Sequence, residues 1–439
     1  MTGSSGPDAA EPVGPGVRGG EDAEQPHRDE AHRRAEAAAR TGYGRLLALL
    51  AAGTHDLAGA EDALADALER ALRTWPVDGV PDRPDAWLLT VARNRQRDGW
   101  RSAAATRTTP LDPAAHAPVQ LDAVDPDAVP DRRLELMLVC AHPAISPGDR
   151  TPLMLNTVLG FTAEEVGRSY AVPRRTMATR LVRAKRRIRD NRIPFRLPDR
   201  SQLPARMDAV LAAVYAAHVI EWSTGPGERD LPTEALHLAE VLAELVPDDP
   251  EARGLAALVE LSAARRAART GPDGSFVTLA EQDPDRWDGA LVERAHVHLR
   301  AAHSRRVVGR YQLEAAIQAV HCARRETGTT DWVTLLDLHR SLAAIAPSLG
   351  SATALAAVTA EVEGPAVGLA LLESDAEATV RFQPAWATRA ELLARLGRHA
   401  AAIEAYDRAV ALTHDVGQRR HLEGRRDALT TDAGGRVGG

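Results

Sequence analysis

The sequence predicts an all-α protein, and three observations carry that prediction. Aromatic residues make up only 4% of the chain, so the apolar mass is mostly Ala, Leu and Val, which favours helices packed through small residues. Apolar positions recur at helical spacing in block after block between residues 31 and 429. Pro and Gly punctuate these blocks at intervals that suit helix ends. At 439 residues the chain is long enough for two or three domains, each with its own core.

Residues 1–28 are rich in Gly, Pro, Asp and Glu and read as a disordered tail. A helical domain is expected over 29–102. Within it Leu57, Ala60, Leu64, Ala67 and Ala71 mark one face of a helix whose other face carries Glu61, Asp62, Asp66 and Glu69. The turn Pro76 to Pro81 should end that helix. The next helix sets Trp87, Leu88 and Val91 on an apolar side, beside Arg93, Arg95, Arg97 and Arg101. Residues 103–130 have frequent Pro and Asp without a sustained period and read as a linker.

A domain over 131–198 follows. In it Thr162 should cap a short helix, with Glu165 completing a capping box, before a break at Ala171-Val172-Pro173. The stretch Arg174 to Arg189 then combines an apolar stripe, Met177, Leu181, Ala184 and Ile188, with a dense basic face. Helix, short turn and basic helix form the helix-turn-helix pattern, whose second helix enters the major groove. The region 203–429 reads as helical hairpins of the tetratricopeptide kind. The clearest spans Ala385 to Leu412, where Ala390, Gly397, Ala402, Tyr406 and Ala409 fit the small and aromatic positions; Thr233 to Leu261 is a weaker copy. Residues 430–439 close the chain as a second tail.

Charge narrows the function classes. The chain is net negative by 7, and Lys185 is its one lysine, so arginine richness reflects overall composition and only local clustering can signal nucleic acid. The cluster Arg174 to Arg192 meets that demand, with Asp190 its sole acidic member. Two cysteines fit a reducing cytoplasm and exclude a disulfide framework. The amino terminus lacks the apolar stretch of a signal peptide, and no run is long enough to span a membrane, so a cytoplasmic protein is expected. There is no phosphate-binding glycine loop with lysine and no paired-cysteine or His-Glu-x-x-His metal spacing, so no catalytic residue, metal or cofactor is expected. The segment Glu281 to Asp288, EQDPDRWD, is charged enough for a ligand site but reads better as a salt-bridged structural turn.

Several segments in order resemble the extracytoplasmic-function group of sigma-70 family sigma factors, in the subgroup with a long C-terminal helical extension. Ala58 to Pro76 resembles a helix of sigma region 2, and Pro84 to Arg101 the promoter-melting helix after it. Pro130 to Ser146 and Val172 to Pro198 resemble that subgroup's region 4. The extension resembles it through EQDPDRWD, Gly309 to His321, Thr330 to Trp332 and Glu363 to Leu372. The chain departs from the pattern at Cys140-Ala141, Leu155 to Val158, Gly99, Val219 to Trp222 and Ala354-Leu355.

The resemblance implies core RNA polymerase and promoter DNA as partners. Asp62, Asp66 and Glu69 would meet basic groups of the polymerase. Arg93, Asn94, Arg97, Trp100 and Arg101 would hold unstacked bases of the melted promoter. Arg174, Arg175, Thr176, Thr179, Arg180 and Arg183 are placed to read base edges, and Lys185, Arg186, Arg187 and Arg189 to touch phosphates. The extension would regulate this part by binding a regulatory protein or ligand. The other expectation is a helical-repeat interaction protein whose sigma-like part no longer initiates transcription.

Overall fold

Helix follows helix along the chain. The structure, a computed structural model, describes residues 21–54, 56–106, 132–170, 172–195, 197–223, 232–272, 274–374, 379–413 and 415–435. Among these the elements are α-helices and short 3-10 turns, with one isolated β-bridge between Thr270 and Phe276. The protein is all-α, as the small-residue composition predicts. It divides into two compact units: Met1–Arg133 with Lys185–Arg196, and Leu134–Ala184 with Leu197–Gly439. This division cuts the expected 131–198 domain after Ala184.

The first unit is built on α1 (Glu21–Thr54), α2 (Leu57–Asp78) and α3 (Pro84–Thr106). The three helices pack on one another, and Leu46, Leu47 and Leu50 of α1, Leu57, Ala60, Leu64, Ala67 and Ala71 of α2, and Leu88, Leu89 and Ala92 of α3 are all buried. Small residues on α2 let the helices approach closely, and Trp75 and Trp87 pack edge to face with centroids 5.5 Å apart. Arg45 donates to Asp85 at 2.6 Å and ties α1 to α3.

Three boundaries differ from expectation. α1 already covers Glu21 to Arg28 of the expected tail. α2 continues past Pro76 to Asp78, since a proline in the last turn disrupts little that follows. α3 covers the expected linker as far as Thr106; residues 107–130 of that linker lie outside the described residues, as do 1–20 and 436–439 of the expected tails.

The second unit opens with α4 (Arg133–Cys140), α5 (Pro147–Thr157), α6 (Ala163–Ser169) and the first part of α7 (Arg174–Asp190). It continues through α8 (Pro204–Ser223), α9 (Pro232–Leu245), α10 (Pro250–Ala264), α11 (Gly289–His303) and α12 (Arg310–Cys322). The one-turn α13 (Arg324–Thr327), α14 (Trp332–Ile345), α15 (Leu349–Val362) and α16 (Pro365–Glu373) follow, then α17 (Gln383–Arg395), α18 (His399–Leu412) and α19 (Val416–Gly435). α19 runs beyond 429 into the expected tail. Buried Arg206 on α8 donates to the Leu138 carbonyl at 2.8 Å, joining the extension to α4.

The hairpin of α17 and α18 turns at Gly397, whose φ of +71° is open to glycine at no steric cost. Ala390, Ala402, Tyr406 and Ala409 are all buried in one cluster, which is the packing the repeat reading requires. EQDPDRWD forms a capped turn. Asp283 caps the 3-10 turn Pro284–Arg286, and Asp288 caps α11 by accepting from the Ala290 and Leu291 N–H groups at 2.9 and 3.2 Å. Arg324 donates to the carbonyls of Ala280 and Gln282, at 3.1 and 2.8 Å, and Arg325 to that of Trp287 at 3.1 Å.

Candidate nucleic-acid interface

The basic helix depends on what precedes it. Thr162 accepts the Glu165 N–H at 3.2 Å while the Glu165 carboxylate accepts the Thr162 N–H at 2.8 Å, so the capping box that opens α6 is complete. Gly167 is buried where the chain turns back: a Cβ there would lie 2.6 Å from the Val172 carbonyl oxygen, so no larger residue allows this approach to the start of α7. Met177, Leu181, Ala184 and Ile188 are all buried, as their spacing predicts.

With that stripe inward, Arg174, Arg175, Thr176, Thr179, Arg183, Arg186, Arg187 and Arg189 are exposed. Thr179 spends its hydroxyl on the Arg175 carbonyl at 3.0 Å. Arg174 lies 3.8 Å from Glu164 and Arg189 3.6 Å from Asp190, both pairs exposed, and two further expected contacts are half-buried and engaged within the protein. Arg180 is half-buried, pairs with Asp149 at 2.7 Å and donates to the Gly148 carbonyl at 2.8 Å, so it anchors the start of α5 to α7 rather than standing open for a base edge. Lys185 belongs to the first unit and pairs with Glu61 at 2.6 Å. Burial pushes the Glu61 carboxyl up from its ordinary value, and the Lys185 charge offsets part of that rise. Lys185 is thus held in an ion pair within the first unit. The sequence placed Glu61 on the acidic face, and nothing local marks its pairing 124 residues away.

In α3, Asn94 and Arg97 are exposed and Arg93 is half-buried on the same side, one turn apart. The side chains of Trp100 and Arg101 lie outside the described residues. On α2, Asp62, Asp66 and Glu69 are exposed on the face opposite the alanines. Asp66 pairs with Arg95 of α3, which sequence reading left unassigned. Asp62, Asp66 and Arg95 line a cavity of about 240 Å³ beside Asp56. Among the described residues no three His, Cys, Asp or Glu side chains gather as metal ligands would, and no helix is long and apolar enough to cross a membrane.

Residues 39–106, the helices of the first unit, match the model of Sigma-70 region 2. Residues 206–303 match a family of unknown function, DUF6596. An uncharacterized protein of Rhizobium meliloti (strain 1021), R00370, is 32% identical over 384 residues, covering 85% of this chain and 90% of that one. The chain belongs to the same family as that protein. Its region 2 domain supports membership of the sigma-70 family and a sigma-like role in transcription. A likeness to the crystal structure of yeast Tom70 spans 94% of this chain and 86% of the other at 12% identity and a TM-score of 0.30.

Proposed function

We propose that this family member is a sigma factor of the extracytoplasmic-function kind. It binds core RNA polymerase through Asp62, Asp66 and Glu69, holds melted promoter bases along α3 and reads the upstream promoter element with α7. The observation that carries this reading is the amphipathic α7. Its apolar stripe is buried and all its arginines but Arg180 are exposed, behind a capped helix and a glycine-tight turn, in a chain that also has a region 2 domain. Exposed arginines at the start of such a helix suit base edges, and those further along suit phosphates.

With Arg180 and Lys185 engaged internally, the reading narrows to Arg174, Arg175, Thr176, Thr179 and Arg183 for base contacts, and Arg186, Arg187 and Arg189 for phosphates. The helical extension regulates this part through a partner or ligand. Transcription from mapped start sites by purified chain and core polymerase tests the reading. The same two internal ion pairs favour a second reading, in which the chain binds partners through its extension and the sigma-like part does not initiate. Pull-down of core polymerase without run-off transcription would select it.

A further inference from the structure

Outside the proposed interface, positive charge gathers where α10 ends. Arg265 is the C-cap of that helix, Arg266 opens the 3-10 turn Arg266–Ala268, and Arg269 follows it. Arg265 is only 4% exposed, and Arg266 and Arg269 are half-buried. Their guanidiniums are anchored unequally. Arg265 lies 5.7 Å from the Trp222 ring centroid and donates to Gln318, but its buried Nε has no hydrogen-bond partner. Arg269 lies 3.7 Å over the same ring and donates to the Trp222 carbonyl at 3.1 Å. Among the described residues, Arg266 makes no hydrogen bond and no ion pair.

Opposing charge is scarce. Among the described residues the carboxylates facing this turn are Glu221, beside Arg266, and Asp415, beside Arg269. Burial pushes the Glu221 carboxyl up to about 8, so near neutral pH it is mostly protonated. Asp415 is engaged at the start of α19, accepting from the Gln418 N–H at 2.6 Å. Arg324 adds a further positive charge beside Arg265. Burial, with the charges of Arg265 and Arg266 added, holds the Arg269 guanidinium down at about 10. The negative end of the α10 dipole favours a cation here by about 0.3–1 kcal/mol, which is small against the cost of burying an unpaired charge. Arg265, Arg266 and Arg269 thus hold a surplus of about two positive charges. Exposed Ala267 between them leaves Arg266 and Arg269 open to an ion from solvent.

We propose that Arg266 and Arg269 bind a small anion carrying a phosphate group at the end of α10. A phosphate group brings about −1.5 to −2 charges near neutral pH and matches the surplus, whereas a carboxylate neutralises one charge only. Two guanidinium forks offer it paired N–H donors, with the Trp222 ring holding Arg269 in place. The inference names a ligand class for the extension but stands apart from the sigma reading, because binding is measured without polymerase or DNA and either can fail alone. The full-length chain is titrated calorimetrically with inorganic phosphate and, separately, with phenyl phosphate, at an ionic strength held fixed with chloride. The expected result is saturable binding to one site. Tighter binding of phenyl phosphate assigns an ester as the ligand, and equal or tighter binding of inorganic phosphate assigns the free ion. Arg266→Gln and Arg269→Lys should each weaken binding about tenfold or more, since each loses a charge-assisted fork. Arg186→Ala with Arg187→Ala, which removes exposed arginines of α7, should bind as the wild type does. In phosphate-free buffer Arg266→Gln should melt no lower than the wild type, because it relieves repulsion and removes no bond. Should Arg269→Lys fail to fold, Arg266→Gln decides. No saturable binding of either probe, wild-type affinity in a folded Arg266→Gln or Arg269→Lys chain, loss of binding in the α7 variant, or a lower melting temperature of phosphate-free Arg266→Gln would overturn the proposal.

Discussion

Arg186 and Arg187 stand in solvent on α7, while Arg265 and Arg269, of the same chemistry, close over the Trp222 ring inside the extension, Arg269 at 3.7 Å and Arg265 at 5.7 Å from its centroid. The contrast extends to other groups. Asp62, Asp66 and Glu69 are exposed on α2, whereas Glu260 on α10 is fully buried, 3.6 Å from Arg294 and 3.9 Å from His298. Burial pushes the Glu260 carboxyl up to about 7, with Arg294 opposing and Glu240 adding to the rise. It pushes Glu221 up to about 8 against the nearby Arg266 charge, and holds the His218 imidazole down at about 4. Charge on the surface of α2 and α7 is available to partners and screened by salt. Charge inside α8 to α11 is committed to the fold and coupled to pH.

Removing the ring tests the buried side most severely. Trp222→Ala takes the apolar and π contact from two guanidiniums at once, and a loss of about 2–4 kcal/mol is expected in denaturant unfolding of the extension. A loss no larger than that of an exposed residue would show that the arginines do not depend on the ring.

Salt dependence tests the exposed side. Arg186→Ala with Arg187→Ala should weaken DNA binding on every sequence alike and reduce the log-log salt slope by roughly 1.8, at about 0.9 per phosphate contact. An unchanged slope would take this end of α7 out of the DNA interface. Arg175→Ala, nearer the start of the helix, should cost about 1–3 kcal/mol at one base position in competition against single-base promoter variants, and equal losses on all variants would demote it to a phosphate contact.

Lys185 lies between these two behaviours. Lys185→Met leaves Glu61 buried without its cation and should destabilise the first unit by about 1–3 kcal/mol, while Lys185→Met combined with Glu61→Gln should recover most of the loss. Thermal unfolding of the four forms measures this coupling; additive losses would show that the pair contributes nothing as a pair.

The smallest effect is the most specific to the buried carboxyls. Because the folded-state pKa of Glu260 lies above its unfolded value, its contribution to stability is complete below the ordinary carboxylate range and is lost as pH rises to about 7. Glu221 has the same sign over a window reaching about 8. Glu260→Gln should therefore flatten the decline of unfolding free energy between pH 5 and 8 without abolishing it. An unchanged pH profile would mean that Glu260 stays ionised.

Much of this was legible where local spacing carries the information. The α2 alanine face, the Thr162–Glu165 capping box, the stripe from Met177 to Ile188 and the small residues of the last hairpin each follow from helical period or cap chemistry, and the structure has them all. What stayed hidden depends on residues far apart in sequence. Arg180 finds Asp149 and Lys185 finds Glu61 only once the chain is folded. EQDPDRWD read as a salt-bridged turn, but spacing showed neither the helix caps its aspartates form nor the arginines some forty residues later that fix its carbonyls. Glu260 reads as one more polar residue until three helices enclose it. Helical spacing alone therefore does not show which basic side chains of α7 are ion-paired within the protein.

If the chain directs initiation through the exposed residues of α2, α3 and α7, promoter-specific transcription with purified core polymerase will depend on them. Full-length protein should yield run-off transcripts from defined start sites, and combined Arg174→Ala, Arg175→Ala and Arg183→Ala should abolish them while the protein stays folded and still binds core polymerase. Failure of the wild-type chain to bind core polymerase or to yield any promoter-specific transcript would contradict it.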